Sequence, residues 1–349
     1  PVFLAGRLSS EQGSGSTQAF GTIGDTLVGY ASHDHLVKSL KEGGMGLFAD
    51  EEIEKVSRKA ADVADSCGAF RRGQLSGDSA FYYHKTDLNK MITELGDQLD
   101  KTLAKMDYNI DATTPKGKKD FLEWKTKTQP FHWYSEFYNI IAERGGFDVI
   151  IGNPPYVEWS KIHDYKVFGY SSQCCGNIYT TVCERSYSLM SKCSEFGMII
   201  PISCVATSRM AEFRSLWKKL SSHISLYSAD AHPSILFNGV KFRLAIILQH
   251  YGDGDVLTTS FMRWYPEFRN CLFNTISFTR VPPELFRLGL TPKLTSEIQV
   301  SAYQKLVSLG KMIALWIRDQ SKHNVYAHRI VAHYVKAFDF VPYFEKIST

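Results

Sequence analysis

The chain has 349 residues, of which 44% are hydrophobic, 13% aromatic and 22% charged. This apolar content is enough for a sizeable core, and it excludes a disordered tail, a collagen-like repeat and a disulfide-dense miniprotein. Forty Lys and Arg against 36 Asp and Glu leave a net charge of +4, which permits a nucleic-acid partner without requiring one. No apolar run approaches the roughly 20 residues of a membrane span, and the start of the chain lacks a signal-peptide layout. We therefore expect a cytoplasmic protein of about two domains with no membrane partner.

The cysteine and histidine pattern predicts no metal site. The seven cysteines include no C-x-x-C pair, and zinc sites need paired ligands at short spacing. Reduced cysteines in a cytoplasmic protein are the simplest interpretation. His33 and His35 form an H-x-H pair with no Cys or carboxylate signature beside it. We interpret that pair as part of a loop or surface.

Residues 1–130 are predicted to be a mostly helical region or insertion with a Gly/Ser-rich start. The Gly, Ser and Thr content of residues 1–30 predicts irregular structure. Apolar residues at helical spacing predict amphipathic helices over 50–64 and 86–106. The basic stretch 113–119 (TTPKGKK) predicts a turn-rich linker.

From residue 147 onward the pattern changes to alternating strands and helices. The predicted strands are residues 147–151, 197–201, 224–227 and 243–249. Helical spacing occurs over 177–193 and 210–220. The exposed side of the second helix is predicted to carry Arg209, Arg214, Lys218 and Lys219. This alternation predicts an α/β domain with a mostly parallel sheet, in which ligands bind beyond the carboxyl ends of the strands.

The residues Asn153, Pro154, Pro155 and Tyr156 follow directly after the first predicted strand. Two prolines restrict the backbone and remove two N–H donors, so the loop presents side chains and carbonyl groups rigidly where a ligand binds. An Asn amide oxygen and a proline-fixed carbonyl are two acceptors, and the tyrosine ring is a flat stacking surface. Two acceptors beside a ring suit a planar substrate that bears an amino group.

The nitrogen of such a group is a poor nucleophile, because its lone pair is conjugated with the ring or carbonyl. Hydrogen bonds accepted from both N–H groups hold the amine and favour a pyramidal nitrogen, which stabilises the transition state more than the ground state. The ring of Tyr156 would stack on a base taken out of the duplex. A simple Asn-Pro-Pro turn is the alternative interpretation, and the position directly after a strand disfavours it.

The run Phe147–Tyr156 (FDVIIGNPPY) resembles motif IV of the amino-group DNA methyltransferases that use S-adenosylmethionine. The aromatic residues 131–137 and the Gly145-Gly146 pair narrow the resemblance to the large adenine-specific methylases of type IIG restriction–modification systems. Segments similar to that family's motifs V, VI and VIII are residues 176–185, 197–201 and 237–241, and a segment past residue 324 resembles the start of its target-recognition region. The resemblance covers roughly residues 120–349.

The resemblance implies a Rossmann-like S-adenosylmethionine-dependent methyltransferase sheet that is incomplete in this chain. The family's cofactor motif I, a Pro-x-Cys-Gly-Ser-Gly turn after a first strand, does not occur in the sequence. The chain also starts with Pro1 instead of Met, so we expect an internal piece of a larger protein. Residues 131–280 are predicted to be the catalytic part, and residues 281–349 a linker and the start of the target-recognition region.

The resemblance also implies the role of each site residue. Asn153, Pro154, Pro155 and Tyr156 would be catalytic, Tyr156 and Phe237 would stack on the target base, and Asn153 and Pro154 would line the edge of the cofactor pocket. The implied reaction transfers a methyl group from S-adenosylmethionine to the exocyclic N6 amino group of adenine in double-stranded DNA. The setting is a bacterial or archaeal restriction–modification or related defence system, which leaves open a nuclease domain on the same polypeptide.

Three alternatives stay open. The same NPPY motif serves protein-glutamine and ribosomal RNA methyltransferases, although the helical region and the long tail of this chain disfavour them. A catalytically incomplete piece could instead bind DNA weakly through the basic face between Arg209 and Lys219. Phe237 could be a buried loop anchor instead of a base-stacking residue.

Overall fold

The computed structural model describes residues 24–310, apart from short gaps at 44–46, 77–80, 164, 221–222, 237–238, 241, 251–253 and 287–289, together with 326–327 and 337–338. Phe237 and most of the segment past residue 324 therefore lie outside the described residues. The chain divides into two compact units, Pro1–Glu297 and Ile298–Thr349. The boundaries drawn from the sequence after residues 130 and 280 stay predictions.

A helical region precedes the sheet, as predicted. Its helices in the described residues are α1 (His33–Glu42), α2 (Leu47–Ser76), α3 (Phe81–Tyr108) and α4 (Pro115–Thr128). α2 and α3 extend beyond the predicted ranges at both ends, and their apolar stripes are buried, including Val56, Ala60, Leu95 and Leu99. Because the stripes repeat every three or four residues, each helix presents one continuous apolar face to the core. None of the described helices is both long and apolar enough to cross a bilayer.

The predicted linker over residues 113–119 is wrong, because this stretch starts α4. The Thr114 hydroxyl caps the helix by accepting a hydrogen bond of 3.0 Å from Gly117 N. Pro115 occupies the first turn, where its missing N–H removes no intrahelical bond. Phe121 and Trp124 bury the inner face of the helix. The basic residues of this stretch therefore lie on a helix instead of a loop.

Within the described part of the first unit, the strands form one six-stranded sheet. They are β1 (Phe147–Gly152), β2 (Met190–Pro201), β3 (His223–Ala229), β4 (Leu244–His250), β5 (Val256–Met262) and β6 (Thr279–Arg280), in the order β1-β2-β4-β3-β5-β6. β1, β2, β3 and β5 run in one direction and β4 and β6 in the other. The predicted α/β class is confirmed, but the sheet is mixed. Since β4 lies between β2 and β3, only the β1–β2 and β3–β5 pairs are parallel neighbours.

Helices cover one face of this sheet. α5 (Trp133–Glu136) precedes β1, α6 (Ile178–Tyr187) precedes β2, and α7 (Ser203–Ala206) and α8 (Ala211–Leu220) follow β2. Phe196, Met198 and Ile200 of β2 are buried in one core cluster with Phe213 and Trp217 of α8. The helix predicted over 177–193 is wrong at its end, because Met190 already begins β2. Successive side chains of a strand point to opposite faces of the sheet, so the side chains of Met190–Pro201 point alternately toward the helices and toward the other face.

The predicted irregular segment at the start of the chain becomes an anchor where it is described. Leu27 and Tyr30 are buried, at 2% and 0% exposure. The buried Arg185 of α6 donates hydrogen bonds from Nη2 to the carbonyl oxygens of Leu27 (3.1 Å) and Gly29 (2.8 Å). A segment rich in Gly and Ser lacks apolar periodicity, and its place in the core depends on its contacts with the distant Arg185.

The second unit starts within α9 (Glu297–Ser308). It also contains an antiparallel pair of short strands, β7 (Tyr326–Ala327) and β8 (Ala337–Phe338).

Candidate functional site

The NPPY loop leaves the sheet at the carboxyl end of β1. β1 runs parallel to β2, with Gly152 opposite Met198. The chain reaches β1 through Gly146, whose φ is +132°. A Cβ there would lie 2.6 Å from the carbonyl oxygen of Leu189, so a glycine is required for β1 to start this close to the chain that enters β2. This close approach fixes where β1 begins beside β2.

Within the loop, one hydroxyl holds the first and last residues of the motif together. Asn153 is exposed, Pro154 is buried, and Pro155 and Tyr156 are half-buried. The single hydrogen of the Tyr156 hydroxyl is shared between Asn153 Oδ1, at 2.6 Å, and the carbonyl oxygen of Ile199, at 2.8 Å. This contact orients the Asn153 amide with its oxygen toward the ring. An amide oxygen has two lone pairs, so Oδ1 keeps the capacity to accept a further hydrogen bond.

The ring of Tyr156 lies between two other aromatic side chains. The buried Tyr179 of α6 meets it at 6.5 Å between centroids and 88° between planes, and Phe242 meets it at 6.1 Å and 90°. Phe242 is 57% exposed. Burial raises the pKa of the Tyr156 hydroxyl, which therefore stays protonated and able to donate.

Sequence reasoning missed Phe242 and selected Phe237, which lies outside the described residues. Phe242 stands two residues before β4. An aromatic residue directly before a buried strand is common in sequences, and only the pairing of β4 with β2 brings it to Tyr156. The sequence contained no separate signal for this contact.

An ion pair supports the loop after the motif. Arg209 donates from Nη1 and Nη2 to the two carboxylate oxygens of Glu158, at 3.2 and 2.9 Å. Asn177, which caps α6, donates from Nδ2 to Glu158 at 3.3 Å. The Arg209 guanidinium holds the pKa of Glu158 below its usual range. The segment resembling motif V is thereby tied to the segment that follows Tyr156.

The predicted basic face between Arg209 and Lys219 is wrong for Arg214, whereas Arg209 is exposed as predicted. Arg209 is neutralised by Glu158. Arg214 is 3% exposed and donates from Nη1 to the carbonyl oxygens of Cys204 and Thr207, both at 2.9 Å. Arg214 can be buried in the core because the carbonyl groups of Cys204 and Thr207 accept its hydrogen bonds.

The H-x-H pair and the cysteines have ordinary structural contacts. His33 Nε2 lies 3.0 Å from Ser57 Oγ, and His35 Nδ1 accepts a hydrogen bond of 3.2 Å from Ala31 N. The cysteines are all free thiols. Within the described ranges, no three His, Cys, Asp or Glu side chains are grouped so as to hold a metal ion.

The sequence and the fold were compared with those of known proteins to find the family that the chain resembles. Residues 71–230 match the family described as the Eco57I restriction-modification methylase. A stretch of 124 residues is 32% identical to a protein of Methanocaldococcus jannaschii named as a type II restriction enzyme and methyltransferase, covering 36% of this chain and 10% of that protein. The chain therefore spans about a tenth of the curated relative that it matches.

Solved structures give weaker likenesses. The DrdV–DNA complex has a TM-score of 0.35 and 14% identity, with 54% of this chain and 23% of that chain covered. The M protein of the type I restriction enzyme EcoKI has a TM-score of 0.29 and 10% identity, with 64% and 51% covered. The family match begins in α2, upstream of the segment from which the motifs suggested a resemblance. At the level of the family, the resemblance to a restriction–modification methylase is thus confirmed, since residues 71–230, which contain the NPPY loop, match the Eco57I restriction-modification methylase.

Proposed function

We propose that this chain provides the base-binding side of a DNA adenine methyltransferase. The reaction would transfer a methyl group from S-adenosylmethionine to the exocyclic N6 amino group of adenine in double-stranded DNA. The observation that carries the proposal is the loop Asn153–Tyr156 at the carboxyl end of β1. There an exposed amide and a tethered aromatic ring stand beside each other.

The amine would be held by two acceptors. Asn153 Oδ1 would accept from one N–H of the amino group, and the carbonyl oxygen of Pro154 from the other. Pro155 restricts the backbone of Pro154, so the direction of that carbonyl is set before substrate binds. Tyr156 sets the direction of the Asn153 amide. Acceptors fixed in advance stabilise the pyramidal nitrogen of the transition state without a reorganisation cost.

The target base would stack on Tyr156. Because its hydroxyl is held by Asn153 Oδ1 and by the carbonyl oxygen of Ile199, the ring loses little freedom when the base arrives. We propose Phe237, on the connection between β3 and β4, as a second stacking residue. The exposed Phe242 lies on the same connection and already meets Tyr156.

S-adenosylmethionine would supply an electrophilic methyl group when bound. The described residues fit the acceptor edge of such a pocket, since Asn153 is exposed directly beyond β1. In the described part of the chain, β1 pairs only with β2, and Val149 and Ile151 are 47% and 77% exposed. We propose that Asn153 and Pro154 line the edge of the cofactor pocket beside this open strand. Because Asn153 faces solvent, the proton of the methylated amine would leave to water.

The test is Asn153→Ala in the full-length protein. Transfer of tritiated methyl to plasmid DNA should fall by roughly 100-fold, the usual effect of removing one preorganised hydrogen-bonding group, while DNA affinity persists. Asn89→Ala, at an exposed position of α3, is the matched control and should leave transfer unchanged. Mass spectrometry of the digested nucleosides should show N6-methyladenine. Methylated cytosine, methylated RNA or methylated protein in its place, or an Asn153→Ala enzyme of full activity, would contradict the assignment.

A further inference from the structure

A buried carboxylate with two arginines lies at the connection that carries Phe242. The Asp230 side chain is 2% exposed. Its Oδ1 accepts from Ala231 N at 2.7 Å and from Arg243 Nε at 3.2 Å, and its Oδ2 accepts from Arg263 Nε at 3.0 Å. Burial acts to raise the pKa of Asp230, but these hydrogen bonds hold it below its usual range. The carboxylate is therefore charged, and the three side chains together carry a surplus of one positive charge.

Both arginines remain half in solvent although the carboxylate does not. The Arg243 and Arg263 side chains are 43% and 51% exposed. Each is oriented by its Nε contact, and the Arg243 guanidinium also lies over the ring of Phe261, 5.6 Å from its centroid. A guanidinium fixed in this way presents a planar set of donors with little entropy left to lose, which suits the bidentate binding of an anion.

The position of the pair relates it to the candidate site. Arg243 directly follows Phe242, and its carbonyl oxygen accepts from Ile202 N at 2.9 Å, where β2 ends. Asp230 N donates to the carbonyl oxygen of Met262, the last residue of β5, at 2.9 Å. The pair therefore lies at the carboxyl ends of β2, β3 and β5, on the edge of the sheet from which the NPPY loop also projects.

We propose that Arg243 and Arg263 form a phosphate-binding pair that holds the DNA backbone beside the target base. One arginine would neutralise Asp230, so the positive charge of the second arginine is not balanced by this carboxylate. Its natural counterpart is an anion from solvent, and a phosphodiester next to the NPPY loop fits both the charge and the place. This inference rests on the proposed function, because it requires DNA at that edge of the sheet.

The surface pair Asp255–Arg280 provides the matched control. Its contact is also Nε to carboxylate, at 2.7 Å, but the carboxylate is 46% exposed and one arginine balances one aspartate. Affinity of the full-length protein for a labelled mixed-sequence duplex is measured by anisotropy over a range of salt concentrations. Each phosphate contact contributes about 0.9 to the slope of log K against log salt. Arg243→Gln and Arg263→Gln should each lower the slope by about that amount and weaken binding roughly fivefold to tenfold near 0.1 M salt, whereas Arg280→Gln should change neither.

Folding is controlled by a second variant. In Asp230→Asn/Arg263→Gln the carboxylate that loses a partner is also neutralised, so Arg243 keeps a surplus of one positive charge and the slope should return toward the wild-type value. Unchanged slopes in the two single variants, or a double variant whose slope stays as low as that of Arg263→Gln, would overturn the phosphate pair and leave the proposed function intact, provided that the wild-type protein methylates DNA. A wild-type protein that neither methylates DNA nor binds the duplex would instead overturn the proposed function.

Discussion

The helical region and the sheet region each bury an aspartate, and they use it differently. In the helical region Asp100, at 5% exposure, binds His132 Nε2 at 3.0 Å and Lys125 Nζ at 2.7 Å. Lys125 is shared with Asp97, so two carboxylates meet one lysine. In the sheet region two arginines meet one carboxylate, Asp230. In the first arrangement the positive charge of Lys125 is fully balanced, whereas in the second one arginine charge is unbalanced and can bind an anion.

The contacts of His132 show why the first arrangement is structural. His132 Nδ1 accepts a hydrogen bond of 3.0 Å from Tyr30 N, so Nε2 carries the proton and donates to Asp100. The segment of Tyr30 is thereby joined to α3 through the His132 ring, and Asp100 in turn joins α3 to Lys125 of α4. All of these polar atoms are used by the fold, while at the sheet edge Asn153, Phe242, Arg243 and Arg263 face solvent. A functional site is found where polar groups are fixed in position and yet remain accessible.

The largest effect should come from breaking the aspartate of the helical region. Asp100→Ala removes two hydrogen bonds to a charged group and leaves the buried His132 Nε2–H without its acceptor, which should cost about 3 kcal/mol. Urea unfolding measures this loss. Asp97→Ala, whose side chain is 51% exposed, should cost less than about 1 kcal/mol. Methyl transfer per folded molecule should be unchanged in both variants, and a selective loss of transfer in Asp100→Ala would show that the two regions are not separable.

A smaller effect is expected at the point where the chain enters the sheet. Gly146→Ala forces a side chain into a φ of +132° and against the carbonyl of Leu189, which should cost about 1–3 kcal/mol. Gly145 has a φ of +75°, but a Cβ there would meet open space. Gly145→Ala should therefore lose less stability than Gly146→Ala, as measured in a thermal melt. Equal losses would mean that backbone strain, and not the approach to β2, sets the requirement for glycine.

The smallest effect concerns pH. Burial, and then the charge of Arg185, lower the pKa of His35 from 6.5 to about 3. As the pH falls below 6.5, His35 binds a proton in the unfolded chain but stays neutral in the folded chain. Stability is therefore lost between about pH 6.5 and pH 3. The loss should be on the order of 1–2 kcal/mol by about pH 5. His35→Gln should remove this part of the pH dependence while matching the wild-type slope above about pH 8. An unaltered acid slope in the variant would contradict the assignment to His35.

Several local features could be predicted from the sequence, and the errors have identifiable causes. The strand before the NPPY loop and the apolar stripes of α2 and α3 were predicted because periodicity is a local property. The linker at 113–119 was wrong because a threonine cap and a first-turn proline can be mistaken for turn residues. The exposed position predicted for Arg214 was wrong because helical spacing cannot show that this residue finds two carbonyl acceptors in the core.

By itself the sequence determined which residues can hold a planar amine: Asn153, two prolines and Tyr156 after a short apolar strand. Those four residues are contiguous, so chemistry and position could be inferred together. Only the tertiary structure decided what surrounds them. Phe242 reaches Tyr156 because β4 pairs with β2. Arg243 and Arg263 reach Asp230 across 13 and 33 residues because β4 and β5 both pair with β3. Strand order is set by the packing of the whole sheet, and no local pattern encodes it.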